Sequence, residues 1–275
     1  MRLSVTLGPA GPGRDPRALA DLAAAAEDAG WDALFLEDYL VYQGTSLPTY
    51  DPWICLAAVA AKTEHLRMGT TVTPVPRRRP WKLASEAVSL DHLSGGRLIL
   101  GVGAGDDGDP CMSRVGEPTG ARVRAERLDE ALSLIARFWT GETVSHHGTH
   151  YQMEDVRLSA TPVQRPRIPI WVGGDLLVPA VRRRIARWDG SCAYKGTPGT
   201  GPHLPITPDD VAGLLTLVEG VRGSRTGFDV KVSGSDHPDD IAALAAAGAT
   251  WWGRFIPPMA YAETFAIIRQ GPPRP

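Results

Sequence analysis

Leu90-Asp-His-Leu-Ser-Gly-Gly-Arg-Leu-Ile-Leu-Gly-Val-Gly-Ala-Gly-Asp106 is the stretch whose reading decides the fold. Just upstream, Leu83, Ala87 and Leu90 recur at helical spacing, which predicts an amphipathic helix over residues 80–93 with Pro80 at its first position. Gly95 and Gly96 stop that helix, because glycine enters the left-handed C-terminal turn at little cost. Residues 97–102 then form a short apolar run, as expected of a strand buried on both faces in a parallel sheet. The strand leads straight into Gly103-Ala104-Gly105, whose glycines place no Cβ between the main chain and whatever lies above the strand end.

The same alternation extends in both directions. Upstream, residues 3–7, 31–36 and 66–71 read as strands, and residues 15–29 and 52–64 as the helices between them. Downstream, an acidic, proline-containing loop over 106–119 leads to a helix carrying Leu128, Ala131, Leu132, Ile135 and Trp139 at helical spacing. Residues 143–153 alternate around Gly148 as a hairpin, an insertion before the fifth strand at 170–172. Helices at 178–188, 208–221, 239–247 and 261–269 then alternate with strands at 191–194, 228–232 and 250–256. A Gly/Pro-rich loop over 195–208 stands where a lid would. Eight strand–helix units in 275 residues average about 34 residues each, which fits an α/β protein of the (β/α)8 TIM-barrel class. Strict alternation implies parallel strands and right-handed crossovers, and no linker divides the chain, so residues 1–275 are expected to form a single domain.

Composition narrows the function. A net charge of −2 gives no basic field, which argues against nucleic acid as a partner. No apolar run reaches membrane-spanning length. Cys55, Cys111 and Cys192 are odd in number and widely separated, with no Cys-x-x-Cys and no signal-peptide pattern, so a reducing cytoplasm is the expected location.

In a barrel of this class, chemistry sits at the C-terminal ends of the strands. That rule selects Asp38 and Tyr39, Thr71 and Thr73, Gly103 to Asp106, Gly173 to Asp175, and Tyr194 with Lys195. Two glycine-lined ends, after the fourth and fifth strands, suit a flat, phosphate-bearing ligand approached by backbone N–H groups.

Residues 70–84, 90–105, 127–132 and 168–174, together with Gly30-Trp-Asp32 and Trp188-Asp-Gly190, resemble the luciferase-like monooxygenase family. Ser94-Gly-Gly-Arg-Leu98 is the most specific piece, and the ordered set spans nearly the whole chain. The resemblance implies a (β/α)8 barrel using flavin mononucleotide (FMN) or a deazaflavin coenzyme of the F420 type at the strand ends. Thr71 and Val72 would form a bulge behind the central ring, often with a cis peptide. Gly103, Ala104 and Gly105 would border the ribityl chain. Arg124 would reach the phosphate, with backbone donors from the Gly173, Gly174 and Asp175 strand end. Asp106 stands where some deazaflavin members carry a glutamate near the reacting ring. Asp38 stands where many relatives have Asp followed by His, whereas Tyr39 follows here, so a histidine acid/base is not expected at this corner. Asp38, Tyr39 and Asp106 are thus the candidate catalytic residues.

The first expectation is a flavin-dependent monooxygenase, with reduced FMN and dioxygen acting on a small organic substrate and a separate flavin reductase as partner. The alternative is hydride transfer with the deazaflavin coenzyme and no oxygen. A non-catalytic flavin-binding barrel is the rival from another class. The resemblance also implies a homodimer. A non-redox lyase or isomerase barrel would need a buried lysine or a metal cluster at the strand ends, and Lys195 is the only lysine this reading places there.

Gly103-Ala-Gly-Asp-Asp-Gly108 matches the dinucleotide fingerprint by letter, but Asp106, Asp107, Asp109 and Pro110 oppose the helix it requires and repel a pyrophosphate. His146, His147 and His150 read as exposed hairpin residues in preference to metal ligands. Arg77-Arg78-Arg79 is open between gripping a polyanionic tail and being a solvated loop. Asp91-His92 reads as a helix end tied to its neighbours, and Trp251-Trp252 as barrel packing on one side and a site wall or subunit contact on the other.

Overall fold

A computed structural model describes residues 1–42, 45–106, 108–196 and 203–273. The chain runs β1 (Arg2–Leu7), α1 (Pro16–Asp28), β2 (Ala33–Leu36), α2 (Pro52–Lys62), β3 (Arg67–Thr70), β4 (Thr73–Pro74), α3 (Pro80–Leu93), β5 (Leu98–Gly103), α4 (Pro110–Ser113) and α5 (Ala121–Phe138). It continues β6 (Thr143–His147), β7 (Gln152–Arg157), β8 (Ile170–Val172), α6 (Pro179–Ile185), β9 (Gly190–Ser191), α7 (Pro208–Arg222), β10 (Asp229–Ser233), α8 (Pro238–Ala246), β11 (Trp251–Ile256) and α9 (Tyr261–Arg269). A proline stands at the start of α1, α2, α3, α4, α6, α7 and α8, the position that has no N–H to lose. Asp15 and Asp51 cap α1 and α2 through their carboxylates, and Thr207 with Asp210 forms a capping box on α7.

Among the described residues, β1, β2, β3, β5, β8, β9, β10 and β11 pair in parallel in that order, and β11 returns to β1 to close the barrel. This is the (β/α)8 architecture expected from the alternation, with the antiparallel hairpin β6–β7 inserted before β8. Alternation along each strand divides the core in two. Leu34 and Leu36 of β2, Leu98, Leu100 and Val102 of β5, and Val230 and Val232 of β10 face the helices. Ala33, Phe35, Ile99, Trp171 and Trp251 fill the barrel itself. The indoles of Trp171 and Trp251 meet edge-on at 5.4 Å between centroids, with Phe35 at 5.5 Å from Trp171. Gly190 makes room for this plug, since a Cβ there would lie 2.5 Å from Trp171 Cδ1. Both tryptophans of the 251–252 pair are fully buried, so neither forms a site wall or subunit contact: Trp251 faces inward and Trp252 lies in the outer layer.

Arg97 explains the Ser-Gly-Gly-Arg motif. Its guanidinium donates to the Ala60, Thr63, Leu66 and Ser94 carbonyls and to Thr63 Oγ1, at 2.6–2.9 Å. It thereby ties α2, β3 and the α3–β5 turn together at the N-terminal end of the barrel, opposite the mouth. Buried Asp91 does the same for the connection before β8, accepting from Val163 N, Gln164 N and Gln164 Nε2.

Three local expectations are corrected. The strand expected over 191–194 is only Gly190–Ser191, with Tyr194 bridged singly to Asp175. The 106–119 loop contains one helical turn, α4, capped by Asp109; four residues leave no periodicity to read. The third strand resumes after a bulge as β4, which pairs Thr73 with Val102 of β5. The predicted lid falls partly on residues 197–202, outside the described residues.

Candidate active site

The strand ends after β2, β3, β5, β8 and β9 come together at one face. The Thr71–Val72 peptide is cis, as the resemblance implies. The Val72 side chain lies where Cβ atoms at Gly103 and Gly173 would be, 2.6 Å from each. The bare main chain of β5 and β8 therefore accommodates the protein's own bulge, not a ligand directly. This corrects the expectation that these glycines leave the strand ends open. Thr71 Oγ1 and Thr6 Oγ1 are buried with no hydrogen-bond partner among the described residues.

Asp38 is not presented to the mouth. Its side chain is fully buried, with Arg77 on Oδ1 and Arg78 Nη2 at 2.9 Å from Oδ2. Arg77 also donates to the Asp38 carbonyl at 2.6 Å and to Asp109 Oδ2 at 2.8 Å. Arg78 lies over the Trp53 ring. The arginine run is therefore neither a tail-gripping cluster nor a solvated loop: two members turn inward onto acids, and only Arg79 is exposed, against Trp81. A chain separation of 39 residues hides the Arg77–Asp38 pairing from sequence.

Tyr39 stands between these groups, half-buried, its ring edge-on to Tyr42 at 5.3 Å. Burial, reinforced by Glu37, Asp106 and Asp109, pushes its hydroxyl up to about 12, so it remains a phenol. Tyr194 is likewise raised to about 12 by burial and by Asp175 and Asp106, and stacks on His203. Asp106 is exposed and accepts from Gly108 N at 3.0 Å. Tyr39, Asp106 and Tyr194 thus share one electrostatic neighbourhood.

Asp175 is buried, and its Oδ1 accepts from Leu177 N and Gly196 N at 2.9 and 3.0 Å, joining the loops after β8 and β9. Gly174 lies in the left-handed region, with Val181 filling the place of a Cβ. Arg124 is buried in the first turns of α5, which follows left-handed Gly120 and has no side-chain cap.

Sequence reasoning missed Glu37 and Lys231. Glu37 continues the inward face of Ala33 and Phe35, and its N–H donates to Leu7 O at 3.0 Å. Burial raises its carboxyl to about 7. Lys231, between outward-facing Val230 and Val232, places Nζ 5.5 Å from the Phe35 ring centre, and burial lowers its pKa. The legible signal was a charge inside an apolar strand, Val230-Lys-Val232. Lys195, the expected strand-end lysine, instead pairs with Asp210 at 2.8 Å. Beside the mouth, a groove of about 520 Å³ runs along the ends of β10 and β11, with Ser233, Gly253, Arg254 and Phe255 among its lining.

Of the hairpin histidines, His147 is exposed as expected, whereas His146 and His150 are half-buried. His146 Nε2 meets Glu130 Oε1 at 3.0 Å, and the same carboxylate accepts from His150 N and Tyr151 N, pinning the hairpin to α5. No group of three or more His, Cys, Asp or Glu among the described residues is placed to hold a metal ion. No helix of the described residues is long and apolar enough to cross a membrane.

Comparison with known proteins gives the same architecture. The sequence profile of the family described as luciferase-like monooxygenase matches residues 2–195. The chain is 34% identical to an F420-dependent glucose-6-phosphate dehydrogenase of Microbacterium testaceum over 83% of its own length and 67% of that protein's. It spans between about half and two thirds of the length of such relatives. Among solved structures, it resembles an F420-dependent secondary alcohol dehydrogenase in complex with an F420-acetone adduct, at TM-score 0.78 and 14% identity over 98% of this chain and 97% of that one. It also resembles the monooxygenase RslO1 of Streptomyces bottropensis, at TM-score 0.70 and 19% identity over 98% and 97% of the two chains.

Proposed function

The chain belongs to the luciferase-like monooxygenase family, and from that premise we propose that it is an oxidoreductase using a deazaflavin coenzyme of the F420 type, exchanging a hydride with a small organic substrate without dioxygen. The observation that carries this reading is the identity of 34% over 83% of the chain with an F420-dependent dehydrogenase. It favours the alternative expected from sequence over the FMN-and-dioxygen reading named first.

The residues at the mouth fit such a coenzyme. The Val72 bulge, with the unpartnered Thr71 Oγ1 and Thr6 Oγ1 as donors, would hold a flat ring. Ala104 and Gly105 would border the chain attached to the ring, and Gly103 and Gly173 would act indirectly by seating Val72. The uncapped start of α5, with Arg124, and the Gly174–Asp175 main chain would hold the phosphate. When bound, the deazaflavin supplies two-electron hydride chemistry. The protein orients it, excludes water and shapes the substrate's approach. Asp38 acts as a positioning residue, holding Arg77 and through it Asp109 and α4. Tyr39 and Asp106 face the substrate side, with Tyr39 as a hydrogen-bond donor in place of a histidine.

Anaerobic titration of the purified protein with F420 and, separately, with FMN tests this. Micromolar quenching of coenzyme fluorescence by F420, with no oxygen uptake on turnover, is expected. FMN binding with substrate-dependent oxygen consumption would return the monooxygenase reading, and binding of neither would favour a non-redox barrel.

A further inference from the structure

We propose that Glu37 is the proton-exchanging group of this site, holding and releasing a proton beneath the barrel mouth opposite Lys231. The proposal rests on the preceding reading for the reaction, but not for the state of Glu37 itself.

The placement is geometric. Glu37 is the last inward residue of the β2 line, directly above Phe35 of the aromatic plug. Gly8, at the end of β1, leaves the space that Glu37 and Tyr42 occupy. A Cβ there would lie 3.3 Å from Glu37 Oε2 and 2.9 Å from Tyr42 Cε2. Glu37 Oε2 is buried and has no hydrogen-bond partner among the described residues, while the residue as a whole keeps partial exposure. Bare Gly253 plays the same part on the other wall, since a Cβ there would lie 2.8 Å from Lys231 Nζ. Gly253 also lines the β10–β11 groove. Glu37 and Lys231 thus stand on either side of the aromatic plug of Phe35, Trp171 and Trp251, Glu37 above it and Lys231 level with Trp251.

Every ionisable neighbour acts on this group in a definite sense. Tyr42, from the loop after β2, touches the Glu37 carboxyl, and Lys231, from β10, attracts it. Tyr39 lies in its field from the same loop. Beyond them, Cys192 faces Lys231 and is raised by burial to about 12, and Arg14 faces Tyr42. Asp106, Asp109 and Arg77 surround Tyr39. Burial outweighs both Tyr42 and Lys231, leaving Glu37 at about 7, where both protonation states are populated at neutral pH. A proton-transfer group works best there.

The step balances for an alcohol. The substrate C–H bond breaks and its electron pair leaves with the hydrogen as hydride to the coenzyme. The O–H electron pair becomes the second bond of the carbonyl, and the proton goes to the Glu37 carboxylate. Substrate is oxidised and coenzyme reduced; the reverse reaction takes the proton back. Lys231, on β10, is the cationic group whose field reaches the Glu37 carboxylate.

The test uses E37Q and E37D. In coenzyme-free wild-type protein, infrared difference titration should show a protonated-carboxyl band disappearing with a midpoint near 7, absent in E37Q. In the loaded enzyme, kcat for E37Q should fall at least tenfold and lose its pH-dependent limb near neutrality, with coenzyme Kd unchanged; E37D should restore the limb in part. A wild-type band that titrates in the ordinary glutamate range overturns the proposal, as does an E37Q profile that keeps its limb. Failure of wild-type protein to bind F420 sinks the coenzyme reading instead, and the infrared arm still decides whether Glu37 holds a proton at neutral pH.

Discussion

Replacing Arg77 by alanine removes the cation that joins two otherwise separate acids. The Arg77 side chain is 5% exposed, and those of Asp38 and Asp109 are 0% and 3% exposed. In wild type, Arg77 donates to both carboxylates and to the Asp38 carbonyl. After substitution, Asp38 keeps Arg78 at 2.9 Å, but Asp109 Oδ2 loses its cation. Breaking a buried pair by removing one partner costs about 3–5 kcal/mol, chiefly because an uncompensated charge stays buried. For a chain of this size that corresponds to a fall in Tm of about 6–20 °C. Asp109 caps α4, so the 106–113 segment should loosen and KM for substrate should rise as well. Calorimetry on Arg77→Ala measures the first effect. Adding Asp109→Asn to that background removes the stranded charge and should recover part of the lost stability. A Tm change under about 2 °C, or further destabilisation by Asp109→Asn, would refute the buried clamp.

The remaining expectations concern other parts of the molecule. Arg124→Ala should weaken coenzyme binding by about 1.5–3 kcal/mol, a factor of about 10 to 150 in Kd by fluorescence titration; an unchanged Kd removes Arg124 from the phosphate site. Gly173→Ala drives a Cβ to 2.6 Å from Val72 Cγ1. Overpacking of that kind costs about 1–3 kcal/mol, so coenzyme Kd should rise about fivefold or more, with rescue by Val72→Ala; wild-type affinity in the single variant counts against the cradle. Burial works to raise the Glu27 pKa, but N–H donors of His65, Glu64 and Leu66, with Arg97 nearby, outweigh it and hold it below the ordinary glutamate value. The stability this adds is present above the unfolded-state pKa and is lost as pH falls through the folded one. Glu27→Gln should therefore cost about 1.5 kcal/mol in urea unfolding at pH 7, with the difference vanishing once the pH is below the folded-state pKa; a gap that persists in strong acid would contradict this origin.

The alternation of apolar runs with amphipathic segments was sufficient, in the sequence alone, to specify a closed parallel barrel, because each strand and helix declares its buried face within a few neighbouring residues. Pro80, Gly95 and Gly96 bound α3 by the same local logic. The set of strand ends forming the mouth was legible too, since in this architecture chemistry gathers at one end. The partners across the mouth were not. Arg77 and Arg78 looked alike on the page, yet barrel closure turns both onto Asp38, roughly 40 residues away, and leaves Arg79 outside. Gly103 and Gly173 read as open main chain until the third strand's bulge delivered Val72 into the space before them. Glu37 and Lys231 sit far apart in the chain and acquire perturbed chemistry only where β2 and β10 bury them beside the same aromatic plug. Periodicity is a property of neighbours in the chain and fixes faces. Burial, charge pairing and the resulting proton affinities depend on distances through space, which exist only once the barrel has closed.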